Sequence, residues 1–217
     1  MINNYHSLPP EEHGIITNAC IYNMSNAVRA SKYPMAADVS KCTDEIKEIT
    51  KKLASAPRGS GHDNFLHGIL LGFDLTLSNK AWVEWERYHF QDIVSSQSTM
   101  HRIVKLVDEN DPFNEWITDN TKEEVRRLVD EYNRVKESDA SKEEKEDAYL
   151  TLLYNVPSGL KLTAGIVTNM GQVKTMIGQR EFHRLPEWRY VIAYFKKVSD
   201  WLLRSNHMRE TIGIYEM

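Results

Sequence analysis

The sequence predicts an α+β fold, a mixed sheet packed with helices, with a helical arm near residues 120–154. Three observations predict it. Runs rich in β-branched and aromatic residues fall at 14–22, 65–77 and 160–168, the composition that fits a pleated, half-buried surface. Between and after these runs, apolar residues recur at helical spacing. Two signatures of a capping box, Thr121 with Glu124 and Ser141 with Glu144, each open a charged helix.

Taken in order, residues 14–22 read as a strand and 24–33 as a short helix that Pro34 ends. Residues 38–53 read as a helix with Val39, Cys42, Ile46, Ile49 and Leu53 on one face. The run Pro57-Arg58-Gly59-Ser60-Gly61 is a loop signal. Residues 65–77 read as a buried strand. Asn79 is placed to cap the following helix, which holds Trp82, Trp85, Tyr88 and His89. In the arm, Val125, Leu128, Val129, Tyr132 and Val135 form one stripe, and 137–141 makes the turn of a helical hairpin. Residues 160–168 then read as a strand and 169–179 as a helix. Pro186 begins a last helix, with Trp188, Val191, Ile192, Phe195, Val198 and Leu202 on its buried face. A single domain over 1–217 accommodates these elements.

The 217 residues carry 27 Lys and Arg against 31 Asp and Glu, a formal net charge of -4. That balance gives the whole molecule no pull toward nucleic acid or an anionic membrane. With 41% hydrophobic and 27% charged residues, the chain has ordinary globular composition. The longest apolar run, 65–77, is interrupted by His67 and Asp74 and is too short to span a bilayer. Residues 1–12 show neither a basic region nor an apolar stretch of a signal peptide. Cys20 and Cys42 are the only cysteines and form no Cys-x-x-Cys, which writes neither a disulfide framework nor a zinc site. The expectation is a soluble, cytoplasmic protein, with both cysteines as small core residues.

No Gly-x-Gly-x-x-Gly, Walker loop, His-Glu-x-x-His or Gly-x-Ser-x-Gly is present. His62 and His67, five apart on the expected strand, point to opposite faces and share no metal. Three polar clusters remain. Residues 87–102 combine two arginines, two histidines and four serine or threonine hydroxyls; residues 180–189 hold three arginines and His183; residues 25–32 place Arg29 among small side chains. Arginine forks and small hydroxyl donors suit a phosphate. A helical Arg is also, more often than not, a surface or ion-paired residue.

At these clusters the chain resembles the flavin-dependent thymidylate synthases. Ser25-Asn26-Ala27-Val28-Arg29-Ala30-Ser31 is similar to the family's Ser-x-Val-Arg-Ala-Ala after its first strand. Gly61-His62, Phe65 and His67 resemble Gly-His-x-x-x-Phe-x-His, with one residue fewer between His62 and Phe65. Asn155-Val156-Pro157 followed twelve residues later by Asn169 matches the family's Leu-Pro…Val-Asn spacing, and His183, Glu187 and Arg189 fall on His-Ala-Gln-x-Glu-Ile-Arg. These matches are collinear over nearly the whole chain. The family's signature, Arg-His-Arg-x-x-Ser-x-Asn-Glu-x-Ser-x-Arg, is altered. Arg102, Ser95 and Gln97 take positions of its last Arg, first Ser and Asn, whereas Ser98 and Met100 replace Glu and Ser, and Phe90-Gln91-Asp92 stand where Arg-His-Arg engages the flavin. Thr163 replaces a strand Arg, with Lys161 two residues earlier on the same face.

The resemblance implies a dUMP site in which Arg102, Arg189, Ser95, Gln97, Arg180 and Lys161 are the nucleotide-side residues. His62, His67 and Asn169 are the flavin-side residues. It implies FAD, NADPH and methylenetetrahydrofolate as reactants, no covalent cysteine, a homotetramer with sites built between subunits, and a compact divergent member that would suit a phage genome. The altered signature supports an alternative: a non-catalytic homologue that has discarded flavin and still binds or sequesters a nucleotide. Fold alone does not choose between them.

Overall fold

β1 (Ile16–Tyr22) forms where the first β-branched run predicts it and pairs antiparallel with β2 (Leu70–Ser78), from Ile16 opposite Leu75 to Tyr22 opposite Leu70. A bulge interrupts the pairing between Thr17 and Cys20, where Asn18 takes a left-handed φ of 51° and its amide donates to Asp74 at 2.6 Å. β3 (Gln91–Ser96) and β4 (Lys161–Asn169) complete a four-stranded sheet in the order β1-β2-β4-β3. The helices are α1 (Met24–Ala30), α2 (Glu48–Ser55), α3 (Asn79–Trp85), α4 (Thr99–Asn110), α5 (Asp119–Glu137), α6 (Lys142–Tyr154), α7 (Met170–Arg180) and α8 (Pro186–Leu202). This computed structural model describes residues 8, 9 and 11–204. Most of the segment read for a leader, residues 1–7 and 10, lies outside the described residues.

The chain gathers into two compact units. The first holds the described residues up to Leu75, Tyr88–Val94, and Gly165 onward; the second holds Thr76–Arg87 and Ser95–Ala164. In the first, Leu71 and Phe73 of β2, Ile166 of β4, Val173 and Met176 of α7 and Trp188, Val191, Phe195 and Val198 of α8 are buried. Phe73 meets Phe195 edge to face at 5.8 Å. All six apolar positions expected on the inner face of α8 are buried; each contributes about 1.5–3 kcal/mol of transfer free energy.

The second unit has its own core: Ile103 and Val107 of α4, Val125, Leu128 and Val129 of α5, Leu152 of α6, with Phe113 and Leu160. The expected hairpin arm is present, and Ser141 and Glu144 form the expected capping box at α6 through bonds of 3.2 and 2.7 Å.

Several local expectations are corrected. Residues 38–53 are not one helix. Asp38 accepts the Ser40 N–H at 3.0 Å to close a short 3-10 turn, and the Lys32 ammonium takes the carbonyls of Thr43 and Glu45 at 2.6 and 2.8 Å, acceptors that a helix would have used. α2 therefore starts only at Glu48. The second strand begins at Leu70, because residues 64–68 form a 3-10 turn in which Leu66 N–H donates to the carbonyl of Asp63 at 3.0 Å. His67 is thus on a turn, and the opposite-face argument for His62 and His67 does not apply. Ser78, one residue before Asn79, caps α3 by accepting the Ala81 N–H, and Tyr88 and His89 lie beyond its end. Thr118, three residues before Thr121, caps α5. Cys20 and Cys42 are free and only half-buried.

Lys174 of α7 fixes the start of that 3-10 turn. Its ammonium donates to the carbonyls of Ala54 and Ala56 at 2.8 and 2.5 Å and to the Asp63 carboxylate at 2.6 Å. Asp63 is buried. Burial is the strongest single influence on its carboxyl and pushes its pKa up, but the hydrogen bond and charge of Lys174, with smaller contributions from its backbone and His67, hold it below the ordinary value. Asp63→Ala should therefore cost roughly 3 kcal/mol at neutral pH, measured by denaturant unfolding. A depressed folded pKa contributes stability that is present above the unfolded value of about 3.9 and lost as pH falls through the lower folded value. The gap between wild type and variant should narrow over that acidic window.

Candidate functional site

The β4–α7 junction builds the first group of candidate side chains. Asn169 ends β4 in extended conformation and caps α7: its Oδ1 accepts the Gln172 N–H at 2.9 Å. That bond fixes which atom of the amide is oxygen. The same Oδ1 lies 3.2 Å from Nδ1 of His67, so the imidazole donates there. Gly171 makes this approach sterically available, since a Cβ at that position would sit 2.4–2.8 Å from three atoms of the His67 ring. Phe90 completes the group. Thr168 donates its hydroxyl to the Phe90 carbonyl at 2.8 Å, and the Phe90 ring, 63% exposed, meets His67 edge-on at 6.1 Å.

His62, the other flavin-side candidate, sits on the exposed loop before this turn, where its backbone N–H donates to Ser60 Oγ at 3.4 Å. Its ring has no partner among the described residues. The structure therefore joins His67 with Asn169 and leaves His62 outside that pair.

The α7–α8 connection, also in the first unit, carries the second arginine cluster. Arg180 is half-buried: its Nε donates to the Tyr88 hydroxyl at 3.0 Å and its guanidinium lies over the rings of Trp188 and Tyr88, 5.0 and 5.8 Å from their centroids. It is a packing residue as well as a cation. Arg189 is exposed and donates to the carbonyls of His183 and Arg184 at 3.1 and 3.0 Å. The His183 Nδ1 in turn accepts the Leu185 N–H at 3.2 Å. Residues 183–185 are thus held as a braced loop, with Arg184 exposed beside it.

The remaining nucleotide-side candidates lie in the second unit. Ser95 is exposed near the end of β3. Gln97 donates its N–H to the Thr163 carbonyl at 2.9 Å and accepts the Thr163 N–H on its side-chain oxygen at 2.8 Å. Its amide thus extends the β4 pairing past the end of β3. The Thr163 hydroxyl is 2.7 Å from that of Thr76. Lys161 shares the half-exposed face of β4 with Thr163, and Arg102 is exposed on the second turn of α4. Neither the Lys161 ammonium nor the Arg102 guanidinium has a partner among the described residues. The start of α4 is held by Tyr149 of α6, whose hydroxyl donates to the Met100 carbonyl at 2.5 Å.

Sequence reasoning missed Gly171 and Thr168 as parts of the site and treated Phe90 only as a replaced residue. Neither Gly171 nor Thr168 carried a sequence signal, since the close approach of His67 to Gly171 is visible only in the packing. Among the described residues, no group of three or more His, Cys, Asp or Glu is placed to hold a metal ion. No described helix is long and apolar enough to cross a membrane.

No family model matches the sequence, and no curated protein matches it. Solved structures do. A crystal structure of the flavin-dependent thymidylate synthase ThyX from Helicobacter pylori, complexed with FAD and dUMP, superposes with a TM-score of 0.60 at 15% identity, over 88% of this chain and 98% of that one. A second ThyX structure from Helicobacter pylori, with FAD and dUMP, gives 0.61 at 14% identity, over 87% and 99%. The fold is that of a flavin-dependent thymidylate synthase, as the resemblance implied.

Two outcomes are expected from this geometry. Gly171→Ala should leave thermal stability within about 1 kcal/mol of wild type, because Ala favours helix and the exposed His67 ring can move aside. His67 should nonetheless lose its bond to Asn169, visible as altered imidazole resonances by NMR. Arg189→Ala should cause only a small stability loss, measured by thermal unfolding, because water can satisfy the two exposed carbonyls. A large drop in melting temperature instead would make Arg189 structural.

Proposed function

We propose that this chain is a divergent member of the flavin-dependent thymidylate synthase family that binds dUMP and methylates it, using FAD, NADPH and methylenetetrahydrofolate. The observation that carries the reading is the His67–Asn169 pair, packed against Gly171 within a fold shared with enzymes solved with FAD and dUMP. The residues present fit a flavin ring, because the pair offers an acceptor and an amide donor beside an exposed aromatic side chain. A bound flavin supplies hydride transfer.

The chain's own residues bind and position. In the first unit Arg189 is an exposed cation suited to a nucleotide phosphate; in the second unit Arg102 and Lys161 are exposed or half-exposed cations, and Ser95 and Gln97 offer small polar contacts. His67 and Asn169 orient the ring. Cys20 is half-buried with its Sγ 2.9 Å from the Tyr22 hydroxyl, which suits chemistry without a covalent thiol. A homotetramer belongs to the same reading: the exposed Ile93 and Val94 of edge strand β3 are apolar surface that a subunit contact would cover.

A second reading is favoured by one observation. Phe90-Gln91-Asp92 contain no cation, and the Asp92 carboxylate is exposed where a diphosphate would need positive charge. On that reading the protein binds or sequesters a nucleotide without catalysis. The test is the visible spectrum of the protein after incubation with FAD and desalting, followed by conversion of dUMP with NADPH and methylenetetrahydrofolate. Retained flavin and thymidylate formation are expected. A colourless protein that still binds dUMP in calorimetry would establish the second reading in its place.

A further inference from the structure

The first unit holds a cavity of about 170 Å³ whose walls come from α2, the 3-10 turn, α7 and α8. Met170, Lys174 and Ile177 supply the α7 wall at i, i+4 and i+7, one face of that helix. Leu66 and Leu202 add buried apolar side chains, and α2 contributes only the methyl group of Ala54. Two polar side chains reach the lining, and both are committed elsewhere. The three hydrogens of the Lys174 ammonium go to the carbonyls of Ala54 and Ala56 and to the Asp63 carboxylate. The Ser199 hydroxyl donates to the Phe195 carbonyl at 2.8 Å. These facts narrow the chemistry of an occupant. A carboxylate or phosphate would meet a cation already paired with Asp63 and would lose its hydration. A peptide segment would bring backbone N–H and C=O groups that this lining cannot satisfy. An apolar cavity of roughly 150 Å³ takes one benzene ring, which sets the size.

We infer that this cavity is a binding site for a small uncharged apolar molecule, a single aromatic ring or a short branched aliphatic chain, held between α2, α7 and α8. The site goes beyond the synthase reading and does not depend on it: no residue of the cavity wall is among the nucleotide-side or flavin-side candidates. Because three helices and the 3-10 turn wall the ligand together, binding adds apolar contacts to all four and stabilises the folded chain by mass action. Charge plays no part in the recognition, which rests on shape and on surface removed from water.

The experiment is a titration of the full chain with toluene, followed by methyl NMR and thermal unfolding, with benzoate as a charged probe of similar size. Ala54→Leu and Ser199→Leu fill the cavity from two different helices, so if one fails to fold the other decides. Toluene should shift the methyl resonances of Leu66, Met170, Ile177 and Leu202 saturably and raise the melting temperature, whereas benzoate should do neither. Each filled variant should bind toluene about tenfold or more weakly, since the added carbons take the place of the ring. Absence of saturable shifts in the wild type would overturn the inference, as would undiminished binding in the filled variants or benzoate binding as tightly as toluene. Methyl shifts that follow protein concentration and not toluene would assign the cavity to a second copy of the chain and overturn it too. All of these outcomes leave the flavin reading untouched, because the spectrum after FAD incubation decides that separately.

Discussion

One ammonium group sets the position of much of the first unit. Lys174 sits on α7 with its Nζ among three oxygens, the carbonyls of Ala54 and Ala56 and the carboxylate of Asp63. A cation in so confined a place is tolerated only when its donors are all satisfied, so the end of α2, the loop after it and the start of the 3-10 turn are tied to that helix. Three residues before Lys174, Gly171 admits the ring of His67. The helix that anchors the loop is therefore the helix against which the loop's histidine rests. Asn169, capping the same helix, supplies the bond that selects the histidine tautomer.

The second unit is organised by different forces. Its core is apolar, built from α4, α5, α6 and the segments around Phe113 and Leu160, and its polar contacts are mostly caps and backbone extensions. Gln97 illustrates the difference. Read as a pocket residue, it spends its side-chain oxygen on the Thr163 N–H, leaving only its amide nitrogen to a ligand. Arg102 and Lys161 remain exposed or half-exposed cations on this scaffold.

Elements with strong periodicity were legible from sequence. α8 presents every apolar residue the spacing assigned to its core, and Ser141 with Glu144 closes the capping box its pattern announced. The errors fell where a distant side chain claimed the backbone. Lys32 takes carbonyls from residues 43 and 45, which breaks a stretch whose apolar spacing reads as one helix. Asp63, held by Lys174, turns residues 64–68 into a 3-10 turn that local composition reads as strand. Within the candidate site, residue types at family spacing pointed to His67 and Asn169, which the fold brings together. Gly171 and Thr168 were not, because a close approach and a main-chain pin belong to the folded packing and leave no periodic trace. Arg180 shows the converse: its type suggested a phosphate, and its neighbours Tyr88 and Trp188 give it a packing role that sequence cannot display.

The bulge in β1 bears on how this sheet can grow. β1 and β3 are its two edges. At β1 the pairing is interrupted between Thr17 and Cys20, with Asn18 in a left-handed conformation, an irregularity that spoils the edge as a template for another strand. β3 has side chains exposed from Asp92 to Ser96. A sheet with one blunted side can accept an added strand only on the other. Two copies joined through β3 would each present a blunted β1 outward, and extension would stop there.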